Sequence, residues 1–179
     1  MKLLVLALAA TLPAATPAKD PTGIPIRPGQ TITLQVTGDD VRIVAIGSAP
    51  PISMYEAEAL GRMQAVELPA DAGPQPAIPI RSASAPPEAV PRQVRLTFRR
   101  VPAARPGEED HALLLVLNGY EMSFRYRATM HTKNGVHPTD VCEVAPRLSV
   151  TEHWPYAIDQ LDLSDIRLEP HVEGPARCE

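Results

Sequence analysis

Residues 112–125 read ALLLVLNGYEMSFR, six apolar residues in a row, then Asn118-Gly119, then an alternating run. Asn-Gly accepts the positive φ angles of a tight two-residue turn, so the stretch predicts a β-hairpin. Around that turn Leu117 opposes Tyr120, Leu115 opposes Met122 and Leu113 opposes Phe124, which gathers the large apolar side chains on one face. The other face pairs Val116 with Glu121, Leu114 with Ser123 and Ala112 with Arg125. Turn chemistry and side-chain period agree across the stretch, and that agreement marks the chain as β.

Upstream, Val94, Leu96 and Phe98 alternate with Arg95, Thr97 and Arg99, predicting a neighbour in the same sheet. Ile32, Leu34 and Val36 alternate with Thr31, Thr33 and Gln35, Gly38-Asp39-Asp40 makes a turn, and Val41 to Ile46 runs back. Residues 53–63 break this period. Ser53 and Glu56 have capping-box spacing, Ile52 stands where a hydrophobic staple would, and Tyr55, Ala59 and Met63 recur four apart. A short helix is expected there, weakened by Gly61. Downstream, Leu148 to Val150 forms a short strand. Leu161, Leu163, Ile166 and Leu168 form the last one, its phase shifted at Ser164-Asp165 as by a bulge.

The chain holds 21 prolines, which excludes a helical bundle because proline breaks helix interiors and central strands. They concentrate in 17–28, read as a leader into the domain, in 69–91, where Ile78-Pro79-Ile80 reads as a short edge strand, and in 102–106. Eight or nine short strands between such turns give an antiparallel β-sandwich with one short helix. An immunoglobulin-like arrangement is among those the pattern fits, and an open β-barrel is the alternative.

Lys2, the apolar run Leu3 to Ala10 and the small residues of Thr16-Pro17-Ala18 predict a signal peptide cut after Ala18, leaving 19–179 as one β-rich domain. The run is shorter than the roughly 20 residues a membrane helix needs, and Ala112 to Leu117 is the longest later one, so no transmembrane segment is expected after cleavage. The chain is therefore expected in the periplasm or secreted. Its formal charge of -4 becomes -5 once Lys2 is removed. A mildly acidic chain without a basic stripe is a poor nucleic-acid binder, and Arg99-Arg100 and Arg125/Arg127 are only local features. Cys142 and Cys178 form an even pair, expected as a disulfide that staples the C-terminal tail. A metal pair or a reactive thiol is the alternative, but no Cys-x-x-Cys is present.

The sequence contains no nucleophile elbow, phosphate-binding glycine loop, dinucleotide fingerprint or His-Glu-x-x-His pair, and implies no cofactor. Five histidines are scattered. His131 and His137 flank the Asn134-Gly135 turn and, with His153, form a weak candidate metal set beside the plainer reading of solvated loop histidines. Asp159, Asp162 and Asp165, with Asp39-Asp40, offer oxygen ligands but do not match a calcium loop. Glu152, His153, Trp154 and Tyr156 form the most distinctive candidate binding surface, an aromatic platform beside a carboxylate. The plainer reading of Trp154 is a residue closing the end of the core. Adjacent Glu152 and His153 would point to opposite strand faces. These observations favour a noncatalytic exported interaction module for an envelope or extracellular partner. A small exported hydrolase or metal-dependent protein, and a carbohydrate-binding module using Trp154 and Tyr156, are the alternatives.

Overall fold

The computed structural model describes residues 23–66, 84–103, 105–174 and 177–178. The expected leader with its cut after Ala18, and Ile78-Pro79-Ile80, lie outside the described residues. The elements in chain order are β1 (Ile24–Ile26), β2 (Gln30–Thr37), β3 (Asp40–Ser48), α1 (Met54–Val66), β4 (Val94–Val101) and β5 (His111–Asn118), followed by β6 (Ser123–Thr132), β7 (Gly135–Thr139), β8 (Ser149–Trp154) and β9 (Gln160–Glu169). They form two antiparallel sheets, one ordered β1-β9-β6-β7 and the other β3-β2-β4-β5-β8. Neither closes on itself, and the two pack face to face as a β-sandwich. The strand order differs from the ABED and CFG sheets of an immunoglobulin constant domain. Ile24–Ile26, read from sequence as part of a leader, is a strand, pairing Ile24 with Leu163 and Ile26 with Leu161.

The alternating strands bury the expected rows. Ile32, Leu34 and Val36 from β2 and Val94, Leu96 and Phe98 from β4 meet Phe124, Tyr126, Leu161 and Leu163 from the opposite sheet. Each such side chain contributes about 1.5–3 kcal/mol by leaving water. The β2–β3 pairing and the β4–β5 neighbourhood follow the sequence reading, and β2 also pairs with β4.

The hairpin at Asn118-Gly119 does not form. Strand β5 pairs with β4 and β8, whereas β6 pairs with β7 and β9 in the other sheet, so Leu117–Tyr120, Leu115–Met122 and Leu113–Phe124 are not strand partners. The chain instead crosses between sheets. Asn118 is fully buried, and its Nδ2 donates to the carbonyls of Met122, Val144 and Ala145 while its Oδ1 accepts from Tyr120 N–H. Gly119 is needed for proximity rather than for a left-handed φ. Its N–H donates to Gln93 O, its carbonyl accepts from Arg92 N–H, and a Cβ there would sit 1.9 Å from Val90 O. Both signals that read as a tight turn thus serve packing across the sandwich.

Strand β5 is buried along its whole length, because it is interior to its sheet and its outer side is covered too. Helix α1 and the segment from Ser84 lie on that side. The helix starts with the expected capping box: Ser53 N–H and Oγ donate to Glu56 Oε2, and Glu56 N–H donates to Ser53 Oγ. Ile52, the expected staple, stays exposed. Tyr55 Oη accepts from Ser149 Oγ of β8 at 3.0 Å, and Glu58 holds Ser84. The expected bulge in β9 is present: Asp165 and Ile166 face the single residue Tyr126, with Asp165 at φ 48°.

Candidate functional site

Cys142 and Cys178 form the disulfide, bridging two short segments that pair antiparallel. Glu143 N–H donates to Arg177 O beside it. In the described residues no helix is long and apolar enough to cross a membrane.

The four residues read as one surface are divided by the pleat of β8. Glu152 and Trp154 lie on the core side, opposite Leu114 and Ala112, while His153 lies on the outer side opposite Leu113. Trp154 is 6% exposed and its indole N–H donates to Thr139 Oγ1 at 2.7 Å, closing the end of the core. Tyr156 is part-buried, its Oη 3.6 Å from Met130 Sδ. Glu152 Oε1 accepts the Cys142 N–H at 2.7 Å. Burial pushes the Glu152 carboxyl above the usual range, partly offset by that bond. Burial, and then the neighbouring Glu152 charge, raise the Tyr126 phenol well above its usual value. Tyr126 Oη and Thr151 Oγ1 are buried without a hydrogen-bond partner.

The histidines are also dispersed. His131 opposes Val136 and His137 opposes Met130, so these two imidazoles project from opposite faces of the β6–β7 hairpin. His131 Nε2 lies 2.6 Å from Asp162 Oδ2. His153 of β8 meets His111 of the neighbouring strand β5 in the five-stranded sheet, Nε2 to Nδ1 at 2.9 Å. His171 bonds Ser123 Oγ. Asp159 pairs with Arg100, Asp165 with Arg127 and Asp162 with His131, so the three carboxylates of 159–165 have different partners. In the described residues no group of three or more His, Cys, Asp or Glu is placed to hold a metal ion.

Among the described residues, one side of the sandwich is open. Strand β3 is there the edge of the five-stranded sheet, and Ile43, Val44 and Ile46 are 44%, 47% and 60% exposed. Ile43 and Ile46 pair with Leu34 and Ile32, so they stand on the core-facing side. They remain in water because the opposing sheet ends at the three-residue β1. Val44 is a bulge between the halves 40–43 and 45–48, since Leu34 pairs with Ile43 and Thr33 with Ala45. Ala49 donates its N–H to Gly29 O. By strand alternation the backbone groups of Ile46 and Ser48 therefore point off the sheet.

The same edge runs into a cleft of about 720 Å³ at the end of the sandwich, lined by Arg27, Gly29, Ala49, Ile52, Arg99 and Arg100 among others. Arg99 is fixed: its Nε donates to Glu56 Oε1 at 2.7 Å, and its other nitrogens reach the carbonyls of Pro50 and Pro51. Burial raises the Glu56 carboxyl, but bonds from Arg99 and Ser53 outweigh it and hold the group below the usual range. Arg100 shares an exposed ion pair with Asp159, and Arg27 Nε donates to the neutral side chain of Gln160. Sequence reading did not find this site. Arg27 joins the other two only through the β1–β2 turn, and an edge strand cannot be told from an interior one by its period. The apolar doublet Ile43-Val44, which breaks the alternation, was the one local sign.

The chain matches no protein-family model, no curated protein and no solved structure.

Proposed function

We propose that this chain is an exported, noncatalytic interaction module that receives an extended segment of an envelope or extracellular protein along the open edge β3. The observation that carries the reading is the exposed apolar row Ile43, Val44 and Ile46 beside outward-pointing backbone groups. A long apolar edge is a template for another strand, and proteins that do not use one usually blunt it with charges, proline or bulges. Here Arg42 and the bulge at Val44 guard the first half, while Ala45 to Ser48 carries neither charge nor proline. Main-chain hydrogen bonds would supply affinity and side-chain pockets specificity, as in other strand additions.

Periplasmic or secreted localisation is supported by the Lys2, Leu3–Ala10 and Thr16-Pro17-Ala18 pattern and by a disulfide, which persists in oxidising compartments. The decisive experiment places a photo-crosslinking residue at Ile46, and as control at exposed Met122, in cells that make the chain natively. One polypeptide attached at Ile46 through an extended segment, absent at Met122 and lost when Ser48→Pro accompanies the probe, is the expected result. Equal labelling at both positions, or none at Ile46, would refute strand addition.

A further inference from the structure

We infer that the segment received by β3 carries an aspartate or glutamate immediately before its strand, and that this carboxylate seats between Arg27 and Arg100 in the end cleft. The inference rests on the strand-addition reading and adds the chemistry of the partner. Every strand pair in both sheets is antiparallel. An antiparallel addition to β3 begins opposite Ser48, so the residue before it lies opposite Ala49, which lines the cleft. The direction of the added strand therefore decides which end of the segment meets the arginines.

Charge decides what that end carries. Three guanidiniums, Arg27, Arg99 and Arg100, face two carboxylates, Glu56 and Asp159, leaving one positive charge on a chain whose net charge is -4. Arg99 spends four of its five N–H donors on Glu56 and the two proline carbonyls, so it is held in place and contributes mainly field. Among the described residues the Arg27 guanidinium is bonded to a neutral amide, that of Gln160, and the Arg100–Asp159 pair is exposed. An exposed pair contributes little and exchanges readily, so Arg100 can swing to an incoming acid. A planar carboxylate matches two guanidinium forks, and a single negative charge neutralises the excess. Ala49 and the half-exposed Ile52 supply an apolar wall for the acid's methylene group and the first apolar residue of the strand.

The test uses short labelled peptides of alternating valine and threonine, preceded by Asp, Asn or Lys and blocked at both ends. Binding to the disulfide-bonded protein is read by fluorescence anisotropy and by amide shifts. The Asp peptide should bind about ten-fold more tightly than the Asn peptide, as a charge-assisted bond in place of a neutral one implies. That preference should disappear in Arg27→Gln or Arg100→Gln and shrink as salt rises from about 0.05 to 0.5 M. All bound peptides should shift Ile46 and Ser48. Equal binding of the Asp and Asn peptides with shifts along β3 overturns the acidic anchor and leaves strand addition standing. An Asp preference that shifts Arg27 and Arg100 but not β3, and survives Ile46→Lys, overturns strand addition. No binding by any peptide also overturns strand addition. Tighter binding by a peptide with a free C-terminal carboxylate and no leading acid overturns the assigned direction.

Discussion

Gly119 lies where two backbones touch, and its side chain is defined by what cannot fit. A Cβ would stand 1.9 Å from Val90 O and 2.8 Å from Gln93 O, both backbone atoms that cannot rotate away. Gly119→Ala must therefore move the Val90–Gln93 turn or break its hydrogen bonds to residue 119, and should cost at least about 1–3 kcal/mol. Chemical denaturation of the purified variant measures this; unchanged stability would mean that the two segments are not in contact. Two carboxylates, buried Glu56 and part-buried Glu152, make opposite demands on pH. Glu56 is held below its ordinary pKa by Arg99 and Ser53 against the opposing effect of burial, so its contribution is present above pH 4.5 and is lost as pH falls through the folded value. Glu152 is raised by burial, so its contribution is present below pH 4.5 and is lost as pH rises through the folded value. At neutral pH Glu56→Gln should lower the melting temperature and Glu152→Gln should raise it, and both differences should fade on acidification below pH 4.5. Melting curves from pH 3 to 8 check the signs; like shifts in the two variants would refute the assignment.

Strands β5 and β3 are both rich in apolar residues, yet one is interior on every side and the other stands at an edge. For β5 the run Ala112 to Leu117 read correctly as strand but wrongly as half-exposed hairpin, because a pattern apolar on both faces means cover on both faces. The capping box at Ser53, the β9 bulge and the β2–β3 pairing were legible because each is set by residues a few positions apart. Strand β1, with only three residues, left no periodic signal, and the sheet assignment of β6 depends on contacts with β9 about thirty to forty-six residues away. The candidate site was illegible for the same reason: an edge is defined by the strand that is missing beside it, and the cleft by four separate chain segments. This contrast predicts a gradient in amide hydrogen exchange. Interior amides of β5 should be the most protected in the molecule, whereas those of Ile46 and Ser48 should exchange at rates near those of turns. Protection at Ile46 equal to that in β5 would show the edge to be covered in solution and would remove the basis for strand addition.

The whole sandwich is offset, five strands over four, and the consequences of that offset fall on opposite sides. On one side β3 overhangs β1 and its apolar row meets water. On the far side β8 and β7 form the edges, and the disulfide closes a loop containing β8 of one sheet and β9 of the other. The bond ties the tail after β9 to the segment between β7 and β8, where the Arg177 carbonyl accepts from Glu143 N–H while Val144 exchanges hydrogen bonds with Phe124 of β6. Closing a loop of about 36 residues restricts the unfolded chain by roughly 4 kcal/mol in the chain-entropy account. The folded core does not need the bond for its packing, since β2, β4, β5 and β6 lie outside the loop and supply most of the buried rows. Reduction, or Cys142→Ser with Cys178→Ser, should lower the melting temperature by on the order of 10 °C, the shift that such a loss produces in a domain of this size. Below that temperature the β circular dichroism should persist and β5 amides should stay protected, while exchange accelerates in residues 171–174 and 177–178. If β5 protection collapsed on reduction at room temperature, the bond would be a condition of the fold rather than a staple on it. If protein taken from its native compartment with thiols trapped at lysis carried two free cysteines, the oxidising location would fail, and with it the exported role.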